Sequence, residues 1–275
     1  MSYKTRFLEE KLHFLFQNFP VVTVTGSRQV GKTTLIEHLY PNIKKITFDP
    51  VIDIGNARKD PDFFLQNNPT PLFLDEIQYA PELLGAIKRH VDNSKQNGQF
   101  LLSGSQNLSL LKEVAESLAG RTAVMQLYPF TFAESKNEIS RFSYLEECMK
   151  KKVPELEIIA PQVPYESTYS TLFTGGYPKI HELPSELYVD YWESYLRTYV
   201  ERDIRRIADI SSLTTFSKFV ALLAALTAQE INYSELGREL AIDRRTAQSW
   251  TDIVRGTYLW FSVPAFTRNT LKRIA

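Results

Sequence analysis

The sequence of 275 residues has almost no cysteine, no net charge and no long apolar run. Its single cysteine, Cys148, excludes a framework of internal disulfides and argues against a zinc–thiolate cluster. Lysine plus arginine (32) equals aspartate plus glutamate (32), so the net charge gives no argument for binding of nucleic acid or an anionic membrane, although it leaves room for a local basic face. No apolar stretch approaches the roughly 18–20 residues that span a bilayer, and the N-terminal apolar run is interrupted by charges, unlike a signal peptide. We predict a soluble, cytoplasmic protein without membrane contacts.

Hydrophobic residues make up 43% of the chain, which is enough for a sizeable core. Residues 1–132 alternate short apolar runs with helical patterns, which indicates an α/β fold with a parallel sheet covered by helices. The predicted strands are Val21–Thr25, Lys45–Phe48, Leu72–Leu74, Phe100–Leu102 and Ala123–Leu127. The predicted helices between them include Thr33–Tyr40, Leu83–Asn93 and Leu108–Leu118.

A phosphate-binding loop is predicted after the first strand, where the sequence reads Gly26-x-x-x-x-Gly31-Lys32-Thr33 and then opens a helix. Glycines let such a loop point backbone N–H groups at phosphate oxygens, and the helix dipole adds positive potential. Lys32 can reach the β- and γ-phosphates, and the Thr33 hydroxyl can ligate Mg²⁺. We therefore predict that ATP is bound by Gly26, Ser27, Arg28, Gln29, Val30, Gly31, Lys32, Thr33 and Thr34.

An acidic pair, Asp75-Glu76, follows the buried strand of the segment PLFLDEIQ. An aspartate at the carboxyl end of such a strand can hold the metal ion through its water shell. Glu76 is then placed to polarise a water molecule for attack on the γ-phosphate, which favours hydrolysis over phosphate transfer to a separate acceptor. The alternative is that the pair caps the following helix.

Two further residues are candidates for the same site. Ser105, or with less support Ser103, ends the strand of FLLSGSQ and can lie between the attacking water and the γ-phosphate, or can belong to a turn that caps a helix. Arg121 lies between a predicted helix and the last strand, where a guanidinium from the same or a neighbouring subunit can stabilise transition-state charge. A simple surface contact is the alternative for Arg121.

The domain boundaries follow from composition. We predict an ATPase domain at 1–133, a charged and proline-containing connector at 134–168, a helical segment at 169–230 and a winged-helix-like module at 231–275. In the last module, Ser234 and Asp243 are expected to cap two helices, and Tyr258–Val263 is expected to begin a wing.

The second of these helices offers side chains that can reach phosphates and base edges: Arg244, Arg245, Thr246, Gln248 and Ser249. Seven Lys/Arg against four Asp/Glu from Ser234 to the end give a local excess of three positive charges, which is modest for a DNA-binding face. DNA binding through residues 234–263 and a module used only for packing or protein contacts stay open as alternatives.

The chain resembles the prokaryotic AAA-like P-loop ATPases that carry a C-terminal domain of unknown function. The matching segments are TGSRQVGKTTL, LFLDEIQYAPELL, FLLSGSQ, SLAGRTAVMQLYPFTFAE, FTGGYPKI and YLRTYVERDI. The resemblance implies a sheet of strand order 5-1-4-3-2, and it implies the roles given above for Gly26–Thr34, Asp75 and Glu76. Similar proteins usually continue into a nuclease-like α/β region, so this resemblance suggests either a truncated chain or a shortened form.

These observations lead to one functional prediction with two alternatives. We expect a Mg²⁺-dependent ATPase that acts as a nucleotide-driven switch coupled to DNA, to a protein partner or to its own copies in a homo-oligomer. The first alternative is a nucleotide-gated binding module with little turnover. The second is a nucleic-acid-binding regulator in which ATP is only structural.

Overall fold

This computed structural model of the protein describes residues 3–105, 114, 116–137, 165–199 (backbone only at 165–167), 204, 210 and 212–263. Most of the predicted helix Leu108–Leu118 and of the connector 134–168 lies outside these residues. The strands are β1 Val21–Thr25, β2 Lys44–Thr47, β3 Leu72–Asp75, β4 Phe100–Gly104 and β5 Thr122–Gln126. The helices described are α1 Glu9–Asn18, α2 Lys32–Leu39, α3 Pro61–Gln66, α4 Leu83–Ser94, α5 Phe132–Lys136, α6 Tyr165–Thr174, α7 Tyr188–Thr198, α8 Leu213–Ala225, α9 Tyr233–Leu240 and α10 Arg244–Gly256.

The five strands form one parallel sheet in the order β2-β3-β4-β1-β5. This is the predicted order read from the opposite side, so both the strands and their arrangement are confirmed. Every residue of β1, β3 and β4 is buried, which explains their continuous apolar sequences. All five strands therefore end at the same side of the sheet, which we call its carboxyl end.

Helices bury both faces of the sheet. On one face α3 and α4 pack against the strands through residues such as Phe64, Leu83 and Ile87. On the other face α1 and α2 pack against β1, and two tyrosines of the C-terminal half, Tyr177 and Tyr195, belong to the same cluster. The C-terminal half is therefore joined to the parallel sheet by a shared core.

The last three helices, α8 to α10, have a core of their own around Phe216, Phe219 and Trp250, whose rings contact one another edge-on or tilted. In the paired helices α9 and α10, the predicted cap Asp243 is confirmed, because its carboxylate accepts the Thr246 N–H at 2.9 Å.

The predicted cap Ser234 is wrong. The helix is capped two residues earlier, because the Asn232 side chain accepts the N–H of Ser234 at 3.0 Å and that of Glu235 at 3.4 Å.

The predicted strand at Tyr258–Val263 does not form; these residues are a turn followed by irregular backbone. Tyr258 adopts φ 65°, and the Leu259 N–H returns to the Val254 carbonyl at 3.2 Å, so the chain turns at the end of α10. The helix pair is thus present without a described wing. Within the described ranges, no helix combines the length and the apolar content needed to cross a bilayer.

Candidate functional site

The segment between β1 and α2 wraps tightly around the carboxyl end of β1. Gly26 has φ 147°, and a Cβ placed on it would lie 2.2 Å from the Leu127 carbonyl oxygen, so only glycine fits there. Gln29 and Gly31 also have positive φ values, 61° and 94°, and Gly31 directly precedes the first residue of α2. The first-turn N–H groups of α2 have no partner within the helix, so this loop carries the geometry of an anion site.

Lys32 places its charge at the centre of the loop. Its side chain is 6% exposed, and Nζ donates to the carbonyl oxygens of Gly26 at 3.0 Å and Ser27 at 2.8 Å. An ammonium group next to a helix N-terminus concentrates positive potential at this point.

Arg6 holds the loop in place through its guanidinium group. The sequence did not identify Arg6 as part of the site. Its guanidinium donates to the carbonyl oxygens of Val30 at 2.9 Å and Tyr128 at 2.6 Å, and it pairs with Glu134 at 3.0 Å. Both charged side chains are about 4% exposed, and such buried pairs are tolerated only when well hydrogen-bonded. The Val30 side chain is fully buried and belongs to the core cluster on the face of the sheet that α1 and α2 cover.

Asp75 ends β3 next to this loop and is 5% exposed. Its two carboxylate oxygens accept from the Thr33 hydroxyl at 3.2 and 3.1 Å, from the Ser103 hydroxyl, and from the Thr47 hydroxyl at 3.5 Å. These hydroxyls compensate the cost of burying a carboxylate.

The hydroxyl and carboxylate oxygens of Thr33 and Asp75 are the hard donors that Mg²⁺ prefers. The described parts of the chain hold no cluster of three or more His, Cys, Asp or Glu suited to a metal ion. A cation with few protein ligands and a retained water shell therefore fits this pair of residues.

Glu76 adopts a left-handed conformation, with φ 57° and ψ 44°, directly after the strand. This backbone is uncommon for a residue with a side chain and is concentrated at functional sites. Its Oε2 accepts from the Ser105 hydroxyl at 3.3 Å and from the Gln78 amide, and Gln78 also approaches the Ser105 hydroxyl at 3.4 Å. The two serines at the end of β4 therefore contact different carboxylates. Ser105 contacts Glu76, and Ser103 contacts Asp75.

The C-terminal half contacts the loop directly, and sequence reasoning did not find the residues responsible. The Tyr177 hydroxyl donates to the Ser27 Oγ at 3.0 Å, and the Tyr195 hydroxyl donates to that of Tyr177 at 3.2 Å. Tyr191 donates to Gln29 Oε1 at 2.9 Å, and burial raises the pKa of its phenol to about 12, so it keeps its proton at neutral pH. The motif FTGGYPKI was the only sequence signal for this contact.

A cleft of about 380 Å³ opens beside the loop. Its walls come from both halves of the chain: Arg28, Gln29, Gly31, Lys32, Thr33, Thr34, Glu76, Pro178, Lys179 and Glu182. This volume lies in the range of small-ligand sites. Lys179 and Glu182 form an ion pair at 2.7 Å, and the Lys179 hydrogen bond lowers the pKa of the Glu182 carboxyl.

Arg121 lies at the opposite end of the sheet from the loop. Its carbonyl accepts the N–H of Val21, the first residue of β1, whereas the loop leaves β1 after Thr25, roughly 13 Å further along a strand. Its guanidinium binds Asp92 in a bidentate pair at 2.5 and 2.9 Å, which lowers the pKa of the Asp92 carboxyl. The prediction that Arg121 acts on the nucleotide within its own chain is therefore wrong; action on a neighbouring subunit stays a prediction.

Comparison with known families divides the chain in two. Residues 18–136 match the model of the AAA domain family AAA_14, and residues 165–275 match a domain of unknown function, DUF8612. The boundary between the two matches falls within the predicted connector 134–168.

Curated relatives match nearly the whole chain. The uncharacterized protein Rv2008c of Mycobacterium tuberculosis is 26% identical over 251 residues, covering 88% of this chain and 51% of its own length. The uncharacterized protein MJ1544 of Methanocaldococcus jannaschii is 25% identical over 272 residues, covering 91% of this chain and 58% of its own length. The chain thus spans about half the length of the curated relatives it matches.

One solved structure has the same fold over most of the chain. The Walker-type ATPase PABY2304 of Pyrococcus abyssi superposes with a TM-score of 0.57 and 17% identity, covering 93% of this chain and 90% of its own.

Proposed function

We propose that this chain, in which an AAA-type P-loop domain is followed by a domain of unknown function, DUF8612, binds and hydrolyses ATP with Mg²⁺. The observation that carries the proposal is that a buried lysine, a hydroxyl–carboxylate pair and a glutamate with a left-handed backbone all lie at the carboxyl end of the sheet. These groups are Lys32, Thr33 with Asp75, and Glu76. The match of residues 18–136 to an AAA domain family supports ATP as the ligand of these residues.

The loop binds the polyphosphate through backbone N–H groups and the first turn of α2. Lys32 exchanges its two carbonyl partners for the more strongly accepting oxygens of the β- and γ-phosphates. Thr33 and Asp75 would hold a Mg²⁺ ion, which would supply positive charge that offsets the charge of the phosphates.

Glu76 acts as the general base of hydrolysis. It orients a water molecule and takes a proton as the water oxygen bonds to the γ-phosphorus and the bond to ADP breaks. Ser105 and Gln78 both contact Oε2 of Glu76, so we assign the other oxygen, Oε1, to the water. The same contacts restrict the rotation of the side chain and so favour a single orientation.

The switch role that we propose rests on the contacts between the loop and the C-terminal half. Tyr177 and Tyr191 bond to Ser27 and Gln29, two residues whose backbone contacts the phosphates in this proposal. Any rearrangement of the loop on nucleotide binding or hydrolysis must change these hydrogen bonds. The change would pass through α7 toward the helices that follow.

DNA is the partner with a specific observation behind it. On α10, Ala247 and Trp250 face the core, whereas Arg244, Arg245, Gln248 and Ser249 are exposed on the other side. Exposed arginines near the N-terminus of a helix can contact phosphates. A protein partner or a homo-oligomer is the alternative.

A gel mobility-shift assay tests the binding of DNA. A shift that weakens steeply with salt supports DNA as the partner, and the absence of a shift both with and without ATP contradicts it.

A phosphate-release assay on Glu76→Gln tests the enzymatic part. We expect wild-type protein to release phosphate and the variant to lose about 100-fold or more of that rate while still binding Mg·ATP, because glutamine cannot accept the proton. Glu82→Gln, an exposed residue directly before α4, is the matched control and should retain the wild-type rate. Wild-type protein that binds ATP without releasing phosphate contradicts hydrolysis and favours the nucleotide-gated module.

A further inference from the structure

One ion pair of the cleft belongs to the C-terminal half and has no role in the site described so far. Lys179 and Glu182 lie on the 3-10 helix Pro178–Glu182, with Nζ 2.7 Å from Oε2. Their side chains are 56% and 33% exposed. Both line the same cleft as Lys32, Thr33 and Thr34.

The backbone that carries this pair is held firmly against the phosphate loop. Tyr177 bonds to Ser27, and the Gly176 carbonyl accepts the Phe130 N–H at 2.6 Å. A Cβ on Gly176 would lie 2.3 Å from the Phe130 carbonyl oxygen, so the two segments approach as closely as backbone allows. Ile180, between the two charged residues, is fully buried. Only the long side chains of the pair are therefore able to change partners.

The charges of the pair decide what happens when a polyphosphate enters. Phosphate oxygens attract Lys179 and repel the Glu182 carboxylate. An exposed ion pair contributes little to stability, so Lys179 loses little when it leaves Glu182. Its hydrogen bond to a phosphate is also charge-assisted, and a polyphosphate carries more negative charge than one carboxylate. The phosphate is therefore the stronger of the two competing acceptors for Lys179.

We propose that Lys179 is a nucleotide-binding residue that the C-terminal domain supplies, and that Glu182 holds it when no nucleotide is bound. This inference rests on the proposed nucleotide binding by the loop around Lys32. It makes the C-terminal domain part of the binding site. The affinity for nucleotide then depends on the position of Pro178–Glu182. A partner that moves this segment changes that affinity.

Calorimetric titration with Mg·ADP tests the inference, because ADP is not consumed during the measurement. We expect Lys179→Met to raise Kd about three- to tenfold, because a charge-assisted contact is lost. Glu182→Gln should have the opposite effect and lower Kd by about twofold or more, because the competing carboxylate is removed. Both effects should shrink as salt is added.

A matched control breaks an ion pair of the same kind elsewhere. Asp252 and Arg255 on α10 are also three residues apart, at 2.6 Å, and both are about half-exposed. Asp252→Asn should leave Kd unchanged. In the double variant Lys179→Met/Glu182→Gln, the gain from the glutamine should be smaller than in the single variant, because its benefit acts through Lys179.

The outcomes separate the two proposals. If wild-type protein gives no binding heat, the proposed function itself fails. If wild-type protein binds and Lys32→Ala weakens binding, yet both variants of the pair keep the wild-type Kd, only the inference is overturned. Weaker binding by Glu182→Gln would overturn the competitive role of Glu182. All side chains changed at the pair are at least one-third exposed, so circular dichroism should show unaltered folding.

Discussion

The two ends of the parallel sheet carry polar groups of very different kinds. At the carboxyl end, Asp75 is buried and accepts hydrogen bonds from three hydroxyls, two of them from other strands. At the amino end, Asp92 is nearly half-exposed and pairs with one arginine, Arg121. A buried carboxylate requires dedicated partners, whereas an exposed ion pair adds little stability. The buried carboxylate at the carboxyl end thus has the surroundings expected of the proposed site, whereas the ion pair at the amino end is a surface contact within this chain.

The two aspartates provide the sharpest test of this contrast. We expect Asp75→Asn to reduce the rate of phosphate release about 10–100-fold, because an amide cannot support the cation as a carboxylate does. Asp92→Asn should leave the rate unchanged. The rates are compared over a Mg²⁺ titration, and the Asp75 variant should need more Mg²⁺ for half its maximal rate. Equal loss in the two variants would remove the distinction between the sheet ends.

A pair of serines tests the same contrast between the two sheet ends, with a smaller expected effect on the rate. Ser105 contacts the carboxylate of Glu76 at the carboxyl end, whereas Ser94 accepts from the buried Gln99 at 2.7 Å near the amino end. We expect Ser105→Ala to lower kcat about fivefold, the effect of one lost hydrogen bond on the orientation of Glu76. Ser94→Ala should change kcat by less than the error of the assay while lowering Tm. A kcat unaffected by Ser105→Ala would show that Glu76 needs no such support.

Arg121→Ala should have the smallest effect. Loss of its exposed pair with Asp92 is expected to change Tm by less than about 2 °C. Phosphate release per molecule at low protein concentration should equal that of the wild type. If the wild-type rate rises with protein concentration and the variant's does not, Arg121 acts on a neighbouring subunit, and the amino end then also contributes to catalysis.

Much of the carboxyl-end site can be predicted from sequence because its signals are local. Gly31-Lys32-Thr33 is one continuous stretch, and Asp75-Glu76 directly follows an apolar strand. Parallel strands all finish on one side of the sheet. Once the end of each strand is predicted, the residues that directly follow it can be assigned to that side. The role of Arg121 within its own chain was predicted wrongly because Arg121 precedes its strand, and that position indicates the amino end; a role on a neighbouring subunit stays a prediction.

The contacts of the C-terminal half could not be predicted in this way. Tyr177 and Ser27 are 150 residues apart, and Tyr191 and Gln29 are 162 apart. No periodicity or spacing connects such pairs; they follow only from tertiary packing. The cap at Asn232 was missed for a more local reason. Asn232 and Ser234 are both good capping residues, and sequence alone does not decide between positions two residues apart.

The central claim is that the loop around Lys32 binds the phosphates of Mg·ATP, and calorimetric titration of Lys32→Ala tests it most directly. We predict saturable one-to-one binding by the wild type and at least about tenfold weaker binding by the variant. Lys44→Ala, which removes an exposed lysine bonded to Asn68 at 2.7 Å, should bind as the wild type does. Wild-type affinity in folded Lys32→Ala protein, or no binding heat from the wild type, would contradict the account.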